Sequence, residues 1–314
     1  MTAAADVGAV IVAAALDAVL GEPPARVHPV VWAGHYLEAA ARFVPAEPPA
    51  AAALSGAGAW LLGAGATALG WGLLERLAHH IPGVGRPAIA GAALWPLTSG
   101  RLLLHEVAAV ERALSVDVIA GRTAVARIVS RDTTSLGPHE VRAAALESLA
   151  ENLSDSVVAP LFWYLVGGLP AAAVYRFANT ADAMWGYRSP RWEYAGRVAA
   201  RVDDLLSLIP ARLTAALVLA GAGRSSWRGL VRQARRTPSP NAGWPMAALA
   251  LRLDRRLGKN GAYLLNESAT DPLPADTERA LAVARHTIAA SVGLAAAGAL
   301  LKPRLIRQPT GGSS

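Results

Sequence analysis

The amino-acid sequence predicts an all-α, polytopic integral membrane protein, with roughly four to six membrane-embedded helices and further amphipathic, interfacial ones. Three observations carry that prediction. Of the 314 residues, 53% are hydrophobic and only 17% are charged. The mean hydropathy is positive. Apolar runs also recur at roughly 17 to 25 residues, the length a helix needs to cross a bilayer. Such segments lie near 3–20, 50–74, 87–104, 157–178, 204–223 and 280–301. A soluble chain of this length carries a prior of about two domains, but the whole of 1–314 reads as a single membrane-embedded domain.

The first segment looks like a secretory signal, yet no Lys or Arg precedes Arg26, so the basic n-region is missing and a retained helix is expected. The connection GEPPARVHPVVWAGHYLE follows, and its Pro and Gly spacing predicts turns rather than a continuous helix. His28 and His35 sit within it as structural residues. AEPPAAAA is a linker into the second segment, where GAGAW and GAGATALG lack dinucleotide-fold context and predict close helix packing through small residues. The third segment carries Pro96, Arg101 and His105, the fourth is interrupted by Gly167, Gly168 and Pro170, and the fifth contains Pro210 and Arg212. These three are candidates for re-entrant or interfacial segments.

Residues 105–130 read as an amphipathic helix, with Val107, Val110, Leu114 and Val118 at helical spacing. Gly137 and Pro138 stop one helix and start the next, Pro being well tolerated in a first turn. The segment 224–236 is rich in arginine and reads as an interfacial helix on acidic lipid, followed by the Pro-rich break TPSPNAGWP. The tail QPTGGSS is polar.

Counting Lys and Arg by loop constrains the topology only in part. If all six segments cross, 106–156 and 224–279 share the cytoplasmic side and 179–203 lies outside. A re-entrant fourth segment instead joins both polar blocks on one face, the arrangement preferred here, because irregular backbone is tolerated at depth where protein buries it.

Composition also excludes. With no cysteine, disulfides, thiolate metal sites and a Cys nucleophile are ruled out. The formal charge of +7 suits an anionic surface, and because the excess is mostly arginine beside apolar segments, membrane lipid rather than nucleic acid is the expected partner. No P-loop, H-E-x-x-H or G-x-S-x-G motif occurs.

The chemistry concentrates between Arg127 and Asp204. On a helix starting near Pro138, Glu147, Glu151 and Asp155 fall at i, i+4 and i+8, where like charges repel. Such a row is commonly a solvated face. This one runs into VVAPLFWYLV, where ionised side chains are expensive and tend to be paired or functional. A divalent cation would relieve the repulsion, and Mg²⁺ is typically held by one or two carboxylates plus substrate phosphates. Arg131 and Asp132 read either as a local ion pair or turn or, in a phosphate site, with Arg131 supplying forked donors. Asn179, Thr180, Asp182, Tyr187 and Arg188 offer the mixed donors, acceptors and aromatic surface of a polar ligand site, although one of them could simply cap a helix. Asp203 and Asp204 read as favouring a helix N-terminus. Arg197 and Arg201 suit either a lipid-facing stripe or a phosphate clamp.

VSRDT at 129–133, ESLAEN at 147–152, APLFWYLVGGLP at 159–170, NTADAMWGYR at 179–188, ARVDD at 200–204, IPARLT at 209–214 and SPNAGWPMAA at 239–248 together resemble the adenosylcobinamide-phosphate synthase family, the membrane-bound cobinamide synthases of cobalamin biosynthesis. DAVLGEPP and HPVVWAG at 17–34 resemble the family's N-terminal signature, with Glu22 where Asp is expected. The match spans almost the whole chain, and the ordered series is specific where no single motif is.

The resemblance implies a multi-pass protein of the cell membrane that joins (R)-1-aminopropan-2-yl phosphate to the free propionate carboxylate of adenosylcobyric acid, consuming ATP with Mg²⁺. A carboxylate oxygen is a poor leaving group, so ATP would first make an acyl phosphate that the amine attacks, with positioning and electrostatics supplying most of the rate. Residue chemistry at these motifs assigns Glu147, Asp155 and Asp182 to metal or base work. Arg131, Arg188 and Arg201 would meet phosphates, with Asp132 beside them. Asn152, Asn179 and Asn241 would orient substrate, and Trp163, Trp185 and Tyr187 would offer surfaces to the corrin ring. Expected partners are the corrinoid, aminopropanol phosphate and lipid, with other membrane-associated corrinoid enzymes or a second copy of the chain as further candidates. Two other classes stand beside this reading. A transporter of an anionic solute would give ATP-independent flux into vesicles, and a non-catalytic membrane sensor would dispense with the polar motifs.

Overall fold

The computed structural model describes residues 3–187, 189–259 and 261–301. The described residues form twelve α-helices, two short 3-10 turns, one π-helical turn and one short hairpin. Helix α1 spans Ala3–Leu20, α2 Pro29–Ala41, α3 Pro49–His79, α4 Gly85–Leu94, α5 Gly100–Leu114 and α6 Val118–Val125. Helix α7, Pro138–Leu153, passes through a π-helical turn at Ser154–Val158 into α8, Ala159–Trp185. Then come α9 at Arg197–Leu219, α10 at Arg224–Ala234, α11 at Gly243–Leu253, strands β1 at Leu257–Lys259 and β2 at Tyr263–Leu265, and α12 at Pro274–Leu301.

Four helical stretches are long and apolar enough to cross a membrane: α1, α3, the Pro138–Trp185 stretch, which is broken at Gly167 and Gly168, and α12. The outward side of α3 displays Leu54, Leu61, Leu62, Leu69 and Leu73, a patch that suits lipid and not water. Its inward side is lined by small residues, as GAGAW and GAGATALG predict. A Cβ on Gly56 would lie 2.2 Å from the Ala195 carbonyl oxygen, and one on Gly63 would run into the Phe177 and Tyr36 rings.

Several expectations are corrected. The run 87–104 does not form one span: Pro96 lies in a short 3-10 turn, Trp95–Leu97, that separates α4 from α5. The run 204–223 belongs to α9, which begins earlier, at Arg197, and brings Arg197, Arg201, Asp203, Asp204 and Arg212 into a helix outside the four apolar ones. HPVVWAGHYLE, expected as turns, is α2, because Pro29 occupies the first helical position and the His28 ring accepts a hydrogen bond from the Val30 amide at 3.2 Å. His28 also bonds Glu22. Residues 105–130 divide into α5 and α6, because Asp117 caps a new helix by accepting from the Ala120 amide at 2.7 Å. Gly167 and Gly168 leave helical geometry, Gly168 with φ +71°, a conformation glycine adopts without the usual steric cost. The Glu75 carboxylate accepts the Leu169 amide released there, at 3.3 Å.

The largest core joins α5, α7, α9, α11 and α12 through Leu146, Leu149, Leu153, Leu219 and Leu249. A second core packs α1 and α4 on α8 through Val10, Leu94, Tyr164 and Leu169. A third holds Leu37, Trp60, Phe177 and Trp185 between α2, α3 and α8.

Candidate active site

The two polar blocks that flank the apolar part of the long central stretch converge. The end of α7, the π turn, the end of α8, the second turn of α9 and the start of α11 enclose a cavity of about 410 Å³ lined by Glu151, Asp155, Asp182, Asp203 and Asp204. Asn152, Asn179, Asn241, Ser130, Ser154, Ser207, Ser239 and Tyr187 complete its polar wall, and among the described residues no cationic side chain lines it.

Asn179 organises the centre. Its amide nitrogen donates to Asp155 Oδ2 at 3.3 Å and Asp203 Oδ1 at 3.4 Å. Its carbonyl oxygen accepts from Arg176 at 3.2 Å. The same guanidinium nitrogen donates to the Asp155 carbonyl at 3.0 Å and to Ser156 Oγ at 3.3 Å. The Tyr175 hydroxyl donates to Asp155 Oδ1 at 3.4 Å and lies 3.2 Å from Ser207 Oγ. Asn241 donates to the Asp204 carbonyl at 2.6 Å and accepts from Arg212 at 3.1 Å, which ties α11 to α9 across the cavity. Burial, and then the nearby charges of Asp155 and Asp182, push the Asp203 carboxyl above the usual aspartate range. Burial also raises Asp204, against the neighbouring Arg201 charge.

A second cavity of about 390 Å³ adjoins the first and shares Ser130, Glu151 and Asn152 with it. Its wall carries Arg131, Glu147, Lys259 and Tyr263. Arg131 Nη2 donates to Glu147 Oε2 at 2.6 Å, with side chains only 14% and 2% exposed. Arg131 Nη1 donates to the Gly258 carbonyl at 3.3 Å.

The sequence-derived residues thus separate into groups. Asp155, Asp182, Asn152, Asn179, Tyr187 and Asn241 meet at the acidic cavity, whereas Glu147 and Arg131 meet beside it. The proposed trio of Glu147, Asp155 and Asp182 is not brought together, because Glu147 is held by Arg131, and among the described residues no group of three or more carboxylate or histidine side chains is placed to hold a metal. A site built from one or two carboxylates plus ligand phosphates still fits the acidic wall. Asp132 closes a local turn, accepting from the Thr134 amide at 2.9 Å and hydroxyl at 2.8 Å. Trp163 packs edge-on against Phe162 and donates to the Leu206 carbonyl at 3.1 Å. Trp185 offers no free surface: it is 1% exposed and stacks on Trp192 at 5.1 Å. Arg201 is exposed on α9. Arg188 lies outside the described residues. Asp203 and Asp204 are not caps, because α9 starts at Arg197 and carries them past its first turn.

A family model described as CobD/Cbib protein matches residues 10–294. The chain belongs to the CobD/Cbib family. It is 38% identical over 268 residues to "Probable cobalamin biosynthesis protein CobD" of Methanothermobacter thermautotrophicus, covering 83% of this chain and 87% of that one. It is 46% identical over 220 residues to the cobalamin biosynthesis protein CobD of Rhodobacter capsulatus, covering 66% and 69%. To the protein of that name in Chromobacterium violaceum it is 40% identical over 259 residues, covering 80% and 81%. No solved structure matches the chain.

In this CobD/Cbib chain five groups of the site lie outside the residues that the sequence assigns to it: Asp203 and Asp204, together with Arg176, Glu151 and Lys259. Arg176 was legible as a lone cation in the apolar run of α8, the kind of residue that marks function in a membrane protein. Glu151 belongs to the acidic row, whose spacing alone does not say which member faces a cavity, and Lys259 carries no motif.

Proposed function

We propose that this chain is a multi-pass cell-membrane ligase of cobalamin biosynthesis, joining the free propionate carboxylate of adenosylcobyric acid to (R)-1-aminopropan-2-yl phosphate with consumption of ATP. One observation supports this reading above others: five carboxylates from four elements surround one cavity in a chain of the CobD/Cbib family. A wall of that charge repels a bare anion and favours an ammonium group or a cation-loaded phosphate. Amide formation from a carboxylate needs both, because the amine must lose a proton and the departing oxygen must be made a leaving group.

Asp155 and Asp203, bridged by Asn179, are the pair to hold Mg²⁺, which supplies charge neutralisation to phosphate oxygens when bound. Asp182, on the same wall, takes the amine proton. Asn152 and Asn241 donate hydrogen bonds that orient the reacting groups. Arg176 is a positioning residue: it fixes the Asp155 backbone and Asn179 at once. Low dielectric and fixed dipoles make such an arrangement effective without reorganisation during the reaction.

The test is direct. Detergent-purified protein given Mg-ATP, adenosylcobyric acid and aminopropanol phosphate should yield ADP and the condensed corrinoid, detected by mass spectrometry. Folded protein that yields neither, across several detergents and lipids, overturns the proposal.

A further inference from the structure

We propose that the cavity beside the acidic site is a phosphate pocket, and that Lys259, carried on the β1–β2 hairpin, is the residue by which the protein selects a phosphorylated amine over the free amino alcohol. The inference deepens the ligase reading and rests on it for the identity of the amine. Its geometry is independent of that reading.

The two compartments differ in charge. The first is lined by five carboxylates and by Ser154, whose hydroxyl oxygen is buried and has no hydrogen-bond partner. The second sets the cations Arg131 and Lys259 against Glu147 and the shared Glu151, so among the described residues positive charge is present there and absent from the first. They meet along Ser130, Glu151 and Asn152, which line both. A small molecule lying across that boundary with an ammonium at one end and a phosphate at the other satisfies both compartments. A free amino alcohol satisfies only the acidic one, and inorganic phosphate only the one that holds Arg131 and Lys259.

Both cations have capacity to spare. Arg131 places one N–H on Glu147 and one on the Gly258 carbonyl, whereas a guanidinium offers five N–H donors in a fork that matches phosphate oxygens. Lys259 makes no ion pair among the described residues. It stands at the exposed end of β1, and the inward Leu257 anchors the strand by pairing with Leu265. Glu147 completes the arrangement. Its bond to Arg131 fixes the guanidinium plane, and it leaves Lys259 with no bonded counter-charge among the described residues. Because Lys259 is solvent-exposed on a short hairpin, its replacement leaves the core intact.

The experiment uses full-length protein in detergent and measures binding by calorimetry for aminopropanol phosphate, free 1-aminopropan-2-ol and inorganic phosphate. The phosphorylated amine should bind at least about tenfold more tightly than either fragment, as expected for one added charge-assisted contact. In Lys259→Ala the affinity ratio of phosphorylated to free amine should fall about tenfold, and Lys259→Arg should restore most of it. Equal affinity of the wild-type protein for both amines, or an unchanged ratio in Lys259→Ala, overturns the inference. Condensed product formed with an unchanged ratio defeats this inference alone. A Lys259-dependent ratio in a protein that forms no product defeats the ligase reading alone.

Discussion

Replacing Arg131 by Met should destabilise the protein by about 3–5 kcal/mol, the cost of leaving a buried charge without its partner. The magnitude follows from burial. Glu147 is 2% exposed and receives its strong hydrogen bond from Arg131 at 2.6 Å, so removal of the guanidinium leaves a buried ionisable group on the cavity wall without its ion-pair partner. The double variant Arg131→Met/Glu147→Leu removes both charges and should return to within about 1 kcal/mol of the native protein, since buried pairs are often replaceable by well-packed apolar residues. Unfolding in mixed detergent micelles, followed by tryptophan fluorescence, measures all four corners of the cycle. If the two single changes add without coupling, the pair is not a unit and the argument fails. The same cycle also bears on chemistry: Glu147→Gln keeps an acceptor for Arg131, so a loss of turnover far exceeding loss of folded yield would assign Glu147 more than a pairing role.

Other expectations are simpler. Asp182→Asn should reduce product formation at least about tenfold while leaving folded yield nearly unchanged, and a parallel loss of both would make Asp182 a structural residue. The raised Asp203 carboxyl means that the folded state binds more protons than the unfolded one, so its contribution to stability falls as pH rises above the ordinary value of 3.8. Asp203→Asn should therefore flatten that decline, and thermal midpoints measured from pH 5 to 9 would show an unaltered slope if burial and its neighbours do not act on it. Gly56→Ala should cost about 1–3 kcal/mol by forcing a methyl group onto the Ala195 carbonyl, whereas Gly58→Ala, with open space around it, should be near neutral. Equal thermal midpoints for the two would contradict the close packing of α3.

The overall class was legible because burial in lipid imposes long apolar runs that no soluble fold needs. Helix starts at Pro138 and glycine contacts in α3 were legible too, since both follow from local sterics. What escaped was phase and partnership. Asp203 and Asp204 resembled a cap because the start of α9 is hidden in RSPRWEYAGR, where no Ser, Thr, Asp or Asn stands immediately before Arg197 to announce it. The β1–β2 hairpin escaped because its strands are three residues each, too short to show an alternating pattern. The Trp185 ring could not be placed from the sequence, because aromatic surface in a motif serves a ligand or a core equally well. Arg131 and Glu147 lie sixteen residues apart, and only the return of the loop before α7 shows that they are each other's partners.

The π turn at Ser154–Val158 has a consequence for how the far half of the central stretch is oriented. Each α-helical residue advances about 100° around the axis, and a π turn absorbs an additional residue without adding a full α-helical step. Everything from Ala159 to the kink at Gly167 is therefore indexed one notch away from an uninterrupted helix, and the kink resets the index again. Asp155, inside the π turn, and Asn179, beyond the kink, hydrogen-bond each other at 3.3 Å, whereas a straight helix would hold them roughly 36 Å apart, so the stretch turns back on itself at Gly167 and Gly168 and brings both residues to α9. The stretch works as a folded clasp whose two arms must have matching reach, so changes of length between Ser154 and Gly168 bear on the site more heavily than most changes of residue.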